Sequence, residues 1–183
     1  TITVDAEEGN TANVTLQDVK IITGERGKGF DAAPVTIKGK GDTEIELNGD
    51  NTLINLGKHA ALEKADDVSH GSLTIKDDLN DDGTKKGEGQ PDNVGSLNVA
   101  GKRGSAGIGG HKTESGPYND PCQNTSNIKI TGGCIKAGPV DENLEYYTGN
   151  YADMWGEYSS GAGIGGASSY GNAENITITG NAK

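Results

Sequence analysis

At 183 residues the chain is long enough for one domain with a substantial interior, yet only 31% of it is hydrophobic and 4% aromatic, against 30 glycines. The net charge is −11, with 16 basic residues scattered among 27 acids, which excludes the clustered cations that neutralise nucleic-acid phosphates and disfavours anionic membrane surfaces. No run of about 18 apolar residues exists, so no membrane insertion is expected. No signal peptide is visible either; if the protein is exported, its leader has been removed.

Low hydrophobicity with high charge also suits disorder, but the apolar residues alternate with polar ones in period two. In chain order the strand-like phrases are TITV at the start, VTLQDVKII from Val14, APVTIKG from Ala33 and TEIELNG from Thr43, followed by GSLTIKD from Gly71 and GSLNVAG from Gly95. Turns of Gly, Asn and Asp separate them. Only HAALEKADD, from His59, offers a short helix. The composition and rhythm predict an all-β fold with a narrow core.

The second half writes Ala-Gly-Ile-Gly-Gly twice, from Ala106 and from Ala162. Each copy precedes an Asn-Ile-x-Ile-Thr-Gly phrase, NIKITGG from Asn127 and NITITGN from Asn175. The first pair is offset by 56 residues and the second by 48, the pattern of a solenoid whose insertions sit on turns. Stacking then places Ile108 over or near Ile164, and Ile128 and Ile130 near Ile176 and Ile178. Small residues flank the inward Ile where β faces approach closely, and glycine tolerates the positive φ of sharp corners. A phosphate-binding loop is a poor reading, because neither copy has a Lys-Ser/Thr tail or opens a helix.

The phrases GAGIGG and NITITGN, with the strand CIKAG from Cys134, resemble the β-helical repeats of large surface proteins from Gram-positive gut and cellulolytic anaerobes. The resemblance is clearest from Leu97 onward; before it, VTIKGKGDTEIELNGDNTLINL keeps only the strand-turn rhythm. It implies a right-handed parallel β-helix (β-solenoid) with three short strands per coil, forming a single domain over 1–183 that is a module of a longer repeat protein. Inserted loops fall at about 78–93 and 139–161. It also implies a secreted protein of the bacterial cell surface. Members of this group include adhesins, immunoglobulin-binding superantigen-like proteins and calcium-containing polysaccharide-binding solenoids.

Two departures from the repeat are candidate sites. The insertion from Pro139 to Gly161 holds Tyr146, Tyr147, Tyr151, Met154, Trp155 and Tyr158, a concentration suited either to a protein interface or sugar platform or to a satellite cluster folded over the solenoid. In DLNDDGTKKGE, residues Asp78, Asn80, Asp82 and Gly83 match the start of a calcium loop, with the Thr84 carbonyl as a further ligand. Gly89 stands where the loop's bidentate Glu belongs, so a plain acidic turn is the rival.

Cys122 and Cys134 could form a disulfide or fill the core as thiols. His59, His70 and His111 are far apart in sequence and accompany no catalytic motif, so no enzyme activity is expected. The expected function is a non-catalytic, monomeric binding module for a host protein, with immunoglobulin the most concrete partner. A glycan ligand assisted by calcium, or a structural stalk, are the alternatives.

Overall fold

The computed structural model describes residues 1–24, 32–80, 84–86, 94–102, 104–111, 123–139, 162–167, 171–180 and 182–183. Their regular structure is entirely β. The first three strands are β1 (Ile2–Ala6), β2 (Thr11–Gln17) and β3 (Lys20–Thr23). The next three are β4 (Val35–Gly39), β5 (Asp42–Asn48) and β6 (Asp50–Asn55). Then come β7 (Leu62–Glu63), β8 (Leu73–Lys76) and β9 (Ser96–Gly101), followed by β10 (Ile108–Gly109), β11 (Thr125–Ile130) and β12 (Cys134–Pro139). The last two are β13 (Ile164–Gly165) and β14 (Ala173–Ile178).

Pairing is parallel throughout the three sheets and recurs at every third strand. The first sheet has the order β1-β4-β7-β10-β13, the second β14-β11-β8-β5-β2 and the third β12-β9-β6-β3. This layout is consistent with a parallel β-solenoid, and each set of three consecutive strands, one from each sheet, is called a rung.

Register explains why the aliphatics are where they are. In the first sheet Ile2, Val35, Leu62, Ile108 and Ile164 are successive partners. In the second, Val14, Ile45, Ile75, Ile130 and Ile178 form a similar column, with Leu73, Ile128 and Ile176 in a neighbouring one. Leu62, Ile108, Ile45, Ile75 and Ile128 are fully buried in one continuous core. The expected superposition of Ile108 on Ile164, and of Ile128 and Ile130 on Ile176 and Ile178, is thus observed. The earlier rungs obey the same register although their phrases are less alike.

The AGIGG phrase sits where rungs approach closely. Gly109 has φ +128°, and a Cβ there would lie 2.1 Å from the carbonyl oxygen of Gly165; Gly165 itself has φ +146°. Its companion phrase has a different cause. Asn127 and Asn175 adopt left-handed backbone, φ 55° and 53°, just ahead of inward Ile128 and Ile176, and Asn175 Nδ2 donates to Asn127 Oδ1 at 3.1 Å. Asn is the residue that tolerates αL best after glycine, and here its amide also stacks between rungs.

The helix expected at His59 is absent. Leu62 is instead a strand residue between Val35 and Ile108, and Ala60, Ala61 and Ala65 are buried at tight corners. Tertiary stacking overrides the local helical preference of so short a segment.

Beyond β12, β13 and β14 the interior opens into an apolar recess of about 390 Å3 lined by residues including Ile130, Ile135, Ile164 and Ile178. Ile164 therefore has a neighbouring rung on one side only, whereas Ile108 has one on each. Ile108→Ala should cost about 3 kcal/mol and Ile164→Ala no more than about half as much, compared by urea unfolding. Equal losses would show that the columns do not share burial in this way.

Candidate functional site

The connection from β6 to β7 is shaped by one buried side chain. Asn55 Oδ1 accepts the amides of Gly57 at 2.9 Å and His59 at 3.1 Å, while its Nδ2 donates to Thr23 Oγ1 and to the carbonyl of Ala32, both at 3.0 Å. The hydroxyl of Ser105 donates to the carbonyl of Lys58, tying the same connection to the next rung. His59 is thereby held in front of β7. Four residues later, Glu63 follows inward Leu62 and takes the opposite face of the strand, where its partners are Thr36 and Gly109. His111 comes two residues after Gly109, and its carbonyl accepts the Gln123 amide at 3.0 Å.

These three residues converge. His59 Nδ1 lies 2.6 Å from Glu63 Oε2, His111 Nδ1 lies 3.4 Å from the same oxygen, and the rings are 5.1 Å apart between centroids. Glu63 is buried, with its side chain 7% exposed. His111 Nδ1 is also buried and has no hydrogen-bond partner among the described residues. In sequence the two histidines are 52 positions apart; one rung of register removes that distance. The signal was available, since aligning Leu62 with Ile108 also brings Glu63 alongside Gly109. His70 stays apart, exposed in the turn after β7, with its amide on the Gly39 carbonyl at 3.0 Å.

The proposed calcium ligands fall in the long connection between β8 and β9. Asn80 and Thr84 meet: the Asn80 amide donates to the Thr84 carbonyl at 2.7 Å, and Asn80 Nδ2 donates to Thr84 Oγ1 at 3.0 Å. Asp78 turns toward Lys76, 3.8 Å away, and Asp82 lies outside the described residues. At the base of the connection Asp77 pairs with Lys86 and accepts the Gly95 amide. Glu46 Oε1 accepts the amides of Asp78 at 3.0 Å and Leu79 at 2.8 Å. Tyr146, Tyr147, Tyr151, Met154, Trp155 and Tyr158 all lie outside the described residues, as does Cys122; Cys134 carries an exposed, unbridged thiol at the start of β12.

Glu46 is nearly inaccessible, 3% exposed. Burial first, then a hydrogen bond shared with the Asp78 side-chain carboxylate, pushes its carboxyl up to about 7, against the pull of the Leu79 amide and Lys76. That hydrogen bond is the chief reason Asp78 is held below the usual range. Glu46 therefore keeps its proton to higher pH in the fold than in the unfolded chain. Its contribution to stability is complete below the ordinary glutamate value of 4.5 and is lost as pH rises through about 7. Glu46→Gln retains an acceptor for both amides, so the variant should gain about 2 kcal/mol on the native protein between pH 4.5 and pH 8 in urea unfolding. A difference between the two proteins that does not change with pH would contradict this assignment.

Comparison with protein-family models, with curated proteins and with solved structures yields no match to this chain.

Proposed function

We propose that the chain is a right-handed parallel β-helical module of a secreted bacterial surface protein, and that it binds a host protein, immunoglobulin in a superantigen-like manner, without catalysis. Right-handed winding is the ordinary outcome for parallel strands joined by crossovers. The observation that carries the reading is the connection from β12 to β13. It is several times longer than the ones joining β6 to β7 and β9 to β10, which leave the same sheet for the same destination.

The strands on either side of that connection keep the register of their rungs: Ile108 pairs with Ile164 and Ile128 with Ile176. Closing a rung therefore needs only a short link, and the additional length is free for recognition. That length holds Tyr146, Tyr147, Tyr151, Trp155 and Tyr158, residue types that give large contact area at low entropic cost. Glu145, Asp153 and Glu157 beside them, on a chain of net charge −11, suit a basic partner surface. The particular partner is suggested by the resemblance of the AGIGG and NITITGN phrases.

The test is biolayer interferometry of the chain against human IgA, IgG and IgM of defined variable-region families, with mucin and plant polysaccharides alongside, each with and without EDTA. Saturable binding that follows one variable-region family and survives EDTA is expected. Trp155→Ala should weaken it by about 2 kcal/mol or more while leaving the β-sheet circular dichroism unchanged. Binding to glycans alone, abolished by EDTA, would replace this reading with a calcium-assisted polysaccharide module centred on Asp78, Asn80 and Asp82.

A further inference from the structure

We propose that His59, Glu63 and His111 form a binding site for a divalent transition-metal ion of the zinc type. Two imidazole nitrogens and a carboxylate oxygen, all within 4.8 Å of one another, face a common point at the meeting of two adjacent rungs. The donor set is one that borderline metals such as zinc prefer, while calcium takes six to eight oxygens and has no use for imidazole.

Electrostatics supports an ion more than a hydrogen-bonded cluster. A buried carboxylate needs compensation, and the shortest contact on Glu63 Oε2 comes from a single ring nitrogen, His59 Nδ1. His111 Nδ1 lies 3.4 Å from the same oxygen, a few tenths of an ångström beyond a normal hydrogen bond, and has no hydrogen-bond partner among the described residues, a rare state for a buried polar atom. A cation supplies what both lack. It takes the Nδ1 lone pair of each neutral imidazole, whose one proton then sits on Nε2, and neutralises the acid, while any second proton on His59 is released to solvent.

The spacing fits as well. Ligands about 2.0 to 2.2 Å from a tetrahedral ion lie roughly 3.3 Å from one another. The separation of His111 Nδ1 from Glu63 Oε2 already matches, that of His59 Nδ1 from Glu63 Oε2 needs to open by about 0.7 Å, and the two imidazole donors, within 4.8 Å of each other, need to close by about 1.5 Å at most. Three protein ligands leave the fourth position for water or for an outside donor. The ion joins the connection ahead of β7 to the second residue after β10, and so fastens two rungs together.

The experiment is isothermal titration of the chelator-stripped full chain with zinc chloride at pH 7.5. One ion per chain is expected, with binding retained in excess calcium. Saturating zinc should raise the melting temperature by roughly 5 °C. His59→Ala, His111→Ala and Glu63→Gln should each weaken binding at least about tenfold, since even outer partners of metal ligands are worth that much. His70→Ala should leave it unchanged. If His111→Ala fails to fold, cobalt titration of the native chain reads the same site, because tetrahedral nitrogen and oxygen ligation gives intense visible absorption. The proposal is overturned if the native chain takes up no zinc, or if a folded His59→Ala/His111→Ala variant binds it with unchanged affinity.

Discussion

Everything in this molecule depends on side chains stacking in register from rung to rung. A rung has three short strands and no interior of its own; Leu62 is buried because Val35 lies on one side of it and Ile108 on the other. The hydrophobic effect rewards such columns by area removed from water, and parallel hydrogen bonding holds each column to a spacing that lets one aliphatic cover the next. A chain with so few apolar residues can therefore be well buried. It needs one aliphatic at each inward position and very little else.

The cost of this economy falls on the corners, where the backbone turns and leaves polar groups to be satisfied. Buried asparagines do much of that work. Asn51 Oδ1 accepts the Val19 amide at 3.0 Å, while its Nδ2 donates to the carbonyls of Asn48 at 2.9 Å and Ser96 at 3.2 Å, spanning three rungs. Asn55 does the same one corner on, and in doing so presents His59. Where the account does not balance, chemistry accumulates. Lys64, wholly buried, has its ammonium 3.7 Å from Asp66, and burial lowers its pKa against the pull of that acid. Burial likewise raises the Glu46 carboxyl, to about 7. These groups, with Glu63 and His111, are the polar inventory that the columns of aliphatics do not explain.

Much of the architecture could be read from residues alone, because a period-two alternation and a repeated phrase are both direct consequences of stacking. The pairing of Ile108 with Ile164 followed from the phrase itself. Leu62 was misread because Ala, Leu, Glu and Lys favour a helix locally, and nothing within nine residues reports that a rung lies above and below. The role of Asn127 was likewise hidden: an αL residue ahead of an inward Ile looks like any polar position until its φ is seen. The His-Glu-His cluster was missed for a different reason. Its members are close only after one full turn of the chain, so it is legible to register and invisible to motif. The aromatic insertion was found by composition, which detects an excess of ring side chains without reference to geometry.

A structure in which each rung touches only its neighbours has no single melting unit. The edge of the stack at β14, where Ile178 is 60% exposed, has little to hold it, while β5, β8 and β11 are covered from both sides. Opening should accordingly begin at the outer rungs and move inward, so that amide hydrogens exchange along a gradient with the slowest in the middle. His59, Glu63 and His111 sit close to that slow centre, where a group whose partners must keep their distances to a few tenths of an ångström is least disturbed by fraying.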